Sequence, residues 1–307
     1  MRVSVQQSYT SMTTSFNDLS GDLAHVVTQM ATGKSIILPS DDPISATRIS
    51  QLNRQQSAIT QYQSNIDAAS SGMSQQESIL DGVNNELLEV RDDLVQAANG
   101  TNTTDSLDSL GQEIQSVTEA IVSALNYQDE DGHYIFGGTV NDKPPIVAED
   151  YDGDGVTDEY VYQGNDEHRS ATVSNGVEVD TNVSVSDMFG SSLDVLNTLN
   201  SLSQEMQDPS ADPAQVQSDI SSAIDVVDNA SDGLNSAMAS LGETQDTMSM
   251  LDSAQTDIST SNDQMISQLS DLDYGPASIT FTGLEMAMEA TLKTYSKVSE
   301  LNLFSVI

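Results

Sequence analysis

The chain has 307 residues, of which 48 are acidic and only nine are Lys or Arg, so its formal net charge is −39. That charge excludes a nucleic-acid-binding protein that works by neutralising phosphates, and it argues against anionic membranes as partners. Cysteine is absent, which excludes disulfides and thiolate chemistry. No basic stretch followed by a short apolar run marks a cleaved signal peptide, so we expect any export to proceed without one.

Residues 5–30 predict a coiled-coil helix. Apolar side chains recur there in alternating steps of four and three residues, which is the spacing of a coiled-coil seam. The seam residues are Val5, Tyr9, Met12, Phe16, Leu19, Leu23, Val26 and Met30.

The stretch 30–50, MATGKSIILPSDDPISATRIS, interrupts this pattern. Its turn-forming residues are Pro39, Asp41, Asp42 and Pro43. Proline disfavours a continuing helix but suits the start of a new one, and an aspartate can cap the free amides of that helix. We therefore predict a capped junction between two helices, with Lys34 and Arg48 close enough to offset the local negative charge. A further hypothesis is that these cations also meet acidic surfaces of neighbouring subunits.

A second seam covers residues 59–97, with Gln76 as its polar intrusion. A helix over residues 44–98 would be about 80 Å long at 1.5 Å per residue. The polar segment ANGTNTTDS then predicts the end of that helix, and a third stripe over residues 107–124 predicts a helix that folds back beside it.

The period changes to two from Ile135 to about Val185, where YVYQG, SATVS and VEVDTNVSVS are separated by Gly, Asn and Asp. Helical spacing returns over residues 193–202 and 220–265. A last stripe follows near the C-terminus, made of Leu284, Met288, Leu292, Tyr295, Val298 and Leu301. The predicted fold is mainly α: a long antiparallel coiled-coil bundle of the N- and C-terminal halves, with a small β-rich domain inserted in the middle.

This pattern predicts three parts. Residues 1–42 and 277–307 form terminal coiled-coil helices, and residues 43–132 and 190–276 form a long helical bundle. Residues 133–189 form the inserted β-rich domain.

Catalytic motifs are not found. TGKS at residues 32–35 lacks the first glycine of a phosphate loop, because Thr28 stands there, and it follows a predicted helix instead of a strand. The histidines, His25, His133 and His168, lie in three separate segments. Methionines at seam spacing fit adaptable packing better than a soft metal site. We therefore expect no enzyme and no organic cofactor.

One acidic cluster partly matches a calcium loop. It lies in EDYDGDGVTDEY, and its candidate ligands are Asp150, Asp152, Asp154 and Asp158. Alternate carboxylates can converge on a hard cation, and Gly155 suits the sharp turn, but Val161 stands where a bidentate glutamate is needed. The sequence leaves two interpretations open: a calcium site of low affinity, or an acidic turn between strands.

Four stretches resemble the bacterial flagellin superfamily. They are MRVSVQQSYTSM, QMATGKSIILPSDDPISATRI, GHYIFGGT and TLKTYSKVSELNLFSVI. The resemblance covers roughly residues 1–138 and 265–307. Flagellins usually carry a non-proline Asp-Asp-Ala, whereas Pro39 and Pro43 surround the aspartates here, so the chain is more similar to hook-associated junction proteins than to filament flagellins. Ala31 and Ser35 depart from the usual serine and basic residue of that turn.

The resemblance implies a structural protein of the extracellular flagellum that joins the hook to the filament. It implies terminal helices that order on assembly, a ring or helical assembly of copies of this chain, and export through the flagellar type III channel. The implied partners are another hook-associated junction protein on the hook side, flagellin on the filament side and an export chaperone. The alternatives are a filament-forming flagellin and a secreted coiled-coil adhesin or translocator.

Overall fold

The computed structural model describes the backbone of residues 2–153 and 155–303. It describes the side chains of the same residues except 2–6, 8 and 298–303. Long helices dominate it, which confirms the predicted fold class. The helices are α1 (Arg2–Thr32), α2 (Pro43–Ala97), α3 (Thr104–Leu125), α4 (Val185–Phe189), α5 (Asp194–Gln207), α6 (Pro213–Ser270) and α7 (Tyr274–Leu303). The strands are β1 (Ile146–Glu149), β2 (Glu159–Tyr162), β3 (Ser170–Ser174) and β4 (Val177–Asp180).

The chain divides into two compact units. The terminal unit consists of Met1–Ile59 and Thr256–Ile307, and the middle unit is Thr60–Gln255. Helices α2 and α6 contribute residues to both units. The three-part division expected from the sequence is finer than this one and stays a prediction.

In the middle unit, α2 and α6 run in opposite directions. The Glu77 carboxylate accepts a hydrogen bond from Gln245, and further along α2 the Arg91 guanidinium donates to Asp228 at 2.6 Å. One apolar cluster joins residues of α2, α3, α5 and α6. The predicted seam of α2 is completely buried at Leu80, Val83, Leu87, Val90 and Leu94. These contacts explain why a helix of 55 residues with a weakly apolar composition is held in place.

The inserted β segment of the middle unit forms two antiparallel pairs. In the first pair Ile146 of β1 lies opposite Tyr162 of β2, and in the second Ser170 of β3 lies opposite Asp180 of β4. Gly176, with φ of 72°, lies in the tight turn between β3 and β4, where the left-handed backbone conformation favours glycine.

The predicted strand character of VSVS, residues 183–186, is wrong. The backbone is helical from Val185, because Ser184 and Asp187 form a capping box that satisfies the free amides at the start of α4. A serine followed three residues later by an acidic residue was the local signal for a helix, although alternating Val and Ser have a strand-like period.

Candidate assembly interface

Helices α1 and α7 of the terminal unit pack against each other in opposite directions. At one end, the phenol of Tyr274 donates a hydrogen bond to the carbonyl oxygen of Met30 at 2.8 Å. Towards the other end, the rings of Tyr9 and Tyr295 meet edge to face with their centroids 5.5 Å apart. Residue numbers therefore rise along α1 as they fall along α7, and the two predicted terminal seams meet.

The seam of this helix pair is only partly covered. Val26 is buried, whereas Leu292 and Tyr295 remain 48% and 43% exposed. The other described seam residues are half-buried: Tyr9, Met12, Phe16, Leu19, Leu23, Met30, Leu284 and Met288. Two packed helices cover only the flank that each turns to the other, so the outer flanks stay in water. Val5, Val298 and Leu301, also predicted for this seam, lie outside the described side chains.

A shallow apolar hollow opens between the two helices. Met12 and Phe16 line it from α1, and Leu292 and Tyr295 line it from α7. Burial of exposed apolar surface by a partner contributes a favourable free energy of roughly 25 cal/mol for each Å² covered. The geometry thus suits a further apolar helix, and the assembly role of these residues stays a prediction.

Backbone hydrogen bonds tie the turn after α1 to the end of α6. The amide of Ser35 donates to the carbonyl of Ser270 at 2.7 Å, and the amide of Leu272 donates to the carbonyl of Gly33 at 2.9 Å. Gly33 ends α1 with φ of 69°, a left-handed conformation that glycine adopts at little cost. The TGKS segment is thus built into a helix junction.

The two neighbouring aspartates of this junction have different tasks. The Asp41 carboxylate accepts hydrogen bonds from the amides of Ile37 and Leu38 at 3.0 and 2.8 Å, which closes the turn. The Asp42 carboxylate accepts from the amide and the hydroxyl of Ser45, which caps α2. The Leu38 amide is the largest cause that lowers the pKa of Asp41, and the Ser45 hydroxyl is the largest that lowers the pKa of Asp42.

The imidazole of His25 on α1 lies beside the Asp41 carboxylate. The Nε2 atom of His25 lies 3.6 Å from a carboxylate oxygen of Asp41. Lys34 and Arg48, expected to offset this charge, form no ion pair among the described residues. The chain reverses between α1 and α2, which brings the turn back beside His25. No local sequence pattern predicts this contact between His25 and Asp41.

The acidic loop between β1 and β2 brings three of the candidate calcium ligands together. Carboxylate oxygens of Asp150, Asp152 and Asp158 lie within 4.8 Å of one another, and all three residues are exposed. The Asp150 carboxylate accepts hydrogen bonds from the amides of Gly153 and Gly155 at 2.6 and 3.0 Å. Asp154 lies outside the described residues. Such bonds also occur in ordinary acidic turns, so the calcium site stays a prediction.

A second acidic group was not predicted from the sequence. Asp129, Asp131 and His133 place their ligand atoms within 4.8 Å of one another at the start of the inserted segment. The amide of His133 donates to the Asp129 carboxylate at 2.8 Å, which accounts for part of this clustering.

Long amphipathic helices near both ends of the chain, a partly covered seam and a small β insertion define a mainly helical protein of the long-bundle class. No helix within residues 2–153 and 155–303 has both the length and the apolar character to cross a membrane. Residues 3–141 match the family described as the bacterial flagellin N-terminal helical region.

Comparison with individual relatives gives a more specific family than the flagellin N-terminal region does. Flagellar hook-associated protein 3 of Escherichia coli K12 is 26% identical over 319 aligned positions, which cover 100% of this chain and 99% of that protein. The structure of a flagellar hook-associated protein from Vibrio parahaemolyticus is 30% identical with a TM-score of 0.68, and the match covers 75% of this chain and 100% of that one. The chain belongs to the flagellar hook-associated protein 3 family, a family of structural proteins and not an enzyme class.

A more distant structure shares the fold alone. Hook-associated protein 3 from Legionella pneumophila is 14% identical with a TM-score of 0.63, over 72% of this chain and 98% of that one.

Proposed function

We propose that this chain is a structural subunit of the flagellum that joins the hook to the filament. The observation that carries the proposal is the apolar seam that α1 and α7 leave partly exposed, with Leu292 and Tyr295 nearly half accessible. Helix pairs with open apolar flanks gain stability when further helices cover them. Copies of the chain packed around a common axis supply such helices, and their contacts offset the entropy lost when the ends become ordered.

The proposed partners follow from this role. Copies of the chain form a ring, another hook-associated protein contacts it on the hook side, and flagellin contacts it on the filament side. An export chaperone holds the subunit before it passes through the flagellar type III channel, without cleavage of a signal peptide. Similarity to hook-associated protein 3 along the whole chain supports this placement.

Complementation of a strain that lacks the chain tests the proposal. The deletion strain should build hooks and release its flagellin into the medium as unattached protein, and the unchanged chain should restore attached filaments. Phe16→Gln with Leu23→Gln removes two half-buried apolar side chains of the seam, so we expect this variant to leave filaments unattached. Met250→Gln is the matched control, because Met250 is 75% exposed on α6 and lies outside the seam.

Two results would contradict the proposal. Attached filaments in the deletion strain would exclude the junction role and favour an adhesin or translocator. Filaments formed by the purified chain alone would favour the second candidate, a filament flagellin, which the match to the flagellin N-terminal region supports.

A further inference from the structure

A groove in the terminal unit contains two cations without a carboxylate partner in the described part of the chain. It lies along the segment 34–39 and the first turns of α2, and its lining includes Lys34 and Arg54. The guanidinium of Arg54 donates to the hydroxyl of Ser50 at 3.0 Å, a neutral partner that leaves the positive charge uncompensated. Neither cation forms an ion pair among the described residues.

The carboxylates nearest in sequence are engaged elsewhere. Asp41 binds the amides of its own turn, and Asp42 caps α2. These bonds hold both carboxylates to the junction, and neither carboxylate forms an ion pair with Lys34 or Arg54.

Two other cations of this chain have carboxylate partners. The guanidinium of Arg91 is paired with Asp228 at 2.6 Å, and Lys293 lies 3.9 Å from Glu289 on the same helix. The remaining Lys and Arg side chains in the described part of the chain form no ion pair, so an unpaired cation is not by itself unusual in this protein. The groove brings two of these unpaired cations, Lys34 and Arg54, together at one surface.

The groove also has an apolar character. Leu38, one of its lining residues, is 53% exposed. Arginine next to exposed apolar side chains is typical of the centres of protein interfaces, where a covered charge contact discriminates between partners. An exposed cation in water contributes little to the stability of the chain itself.

We infer that this groove receives an acidic helix face of a second copy of the chain. The inference rests on the proposed function, which places copies side by side. Charge complementarity selects this occupant, because two surfaces of a chain with net charge −39 repel each other unless cations lie at their contact. The long helices expose suitable carboxylates, for example Asp257 and Asp263 on α6.

Photochemical cross-linking tests the groove directly. The chain has no cysteine, so Thr47→Cys creates a unique thiol on its lining. That thiol is labelled with a benzophenone maleimide and illuminated in isolated flagella. We expect an adduct of twice the chain mass, whose second peptide comes from an acidic helix of the same sequence.

Two variants of equal charge show whether the cations are responsible. Lys34→Gln with Arg54→Gln lowers the net charge by two, and so does Lys143→Glu in the exposed loop before β1. We expect at least a tenfold loss of the double-mass adduct in the first variant and an unchanged yield in the second. Equal melting curves of the purified variants would show that folding is intact.

The inference is overturned by an adduct with a different flagellar protein, by flagella that contain the chain without a double-mass adduct, or by an adduct that survives loss of both cations. Failure of the proposed function is distinguishable, because flagella would then lack the chain and the deletion strain would keep its filaments.

Discussion

The same heptad pattern has different outcomes in the two units. In the middle unit, Leu87 and its seam neighbours on α2 are fully buried, because α2, α3, α5 and α6 share one apolar cluster. In the terminal unit, α1 packs against α7, and Phe16 stays half-buried while Leu292 is 48% exposed. Burial thus depends on how many helices meet a stripe and not on the stripe itself. The middle unit closes its seams within the chain, whereas the terminal unit leaves part of its apolar seam exposed.

The largest expected effect comes from a core truncation. Leu87→Ala leaves a cavity in a closed core, so we expect the free energy of unfolding to fall by about 2–5 kcal/mol. Phe16→Ala, a larger truncation at a half-buried site, should lower the melting temperature of the purified chain far less. Thermal unfolding followed by circular dichroism measures both. Equal losses would show that the terminal seam is already closed in the free chain.

A pair of glycine substitutions makes the same comparison through backbone packing. A Cβ atom added at Gly111 on α3 would lie 2.9 Å from the carbonyl oxygen of Ser203 and 3.0 Å from the Cβ atom of Met206. Gly111→Ala should therefore destabilise the chain by about 1–3 kcal/mol through overpacking. Gly21 on α1 has nothing within 4 Å of such an atom, so Gly21→Ala should raise helicity without loss of stability. Urea titration of both variants tests this, and a stabilising Gly111→Ala would contradict the close α3–α5 packing.

A carboxyl group of the middle unit makes stability depend on pH. Burial raises the pKa of Asp93 to about 6, with further contributions from the charges of Glu113, Glu89 and Asp92. Unfolded aspartate ionises near pH 3.8. The protonated group therefore favours the folded state at low pH, and this contribution is lost as pH rises through 6. We expect Asp93→Asn to raise the unfolding midpoint at pH 8 and to change it little at pH 4.

The control for this experiment is Asp67→Asn, which removes an exposed carboxylate from the same helix. A difference between wild type and Asp93→Asn that is equal at the two pH values would show that the Asp93 charge is not the cause.

Calcium should have the smallest effect. If the loop of Asp150, Asp152 and Asp158 binds the ion, calcium at ten times the dissociation constant stabilises the folded chain by about 1.4 kcal/mol. Asp152→Ala with Asp154→Ala should abolish that increment, and Asp129→Ala in the other acidic group should leave it unchanged. Melting curves in millimolar calcium and in chelator provide the measurement. Identical curves for the unchanged chain would leave only an acidic turn.

Local patterns in the sequence were enough to predict most of the long helices. The predicted helix over residues 44–98 matches α2 at Pro43–Ala97, because the apolar spacing, the proline start and the polar stop all act within a few residues. The gap between the predicted stripes of residues 193–202 and 220–265 likewise contains the break between α5 and α6. The error at VSVS arose where two local signals disagreed, and the capping box of Ser184 and Asp187 outweighed the alternation.

The sequence by itself determined which residues form each stripe, since helical periodicity is a property of neighbouring residues. It could not determine how deeply a stripe is buried, because that depends on helices more than a hundred residues away in the chain. Only the tertiary structure brought His25 within 3.6 Å of Asp41 and left Lys34 and Arg54 in a groove without carboxylate partners among the described residues. Charge contacts of this kind depend on where the chain turns back, which is a matter of distance in space and not of spacing in sequence.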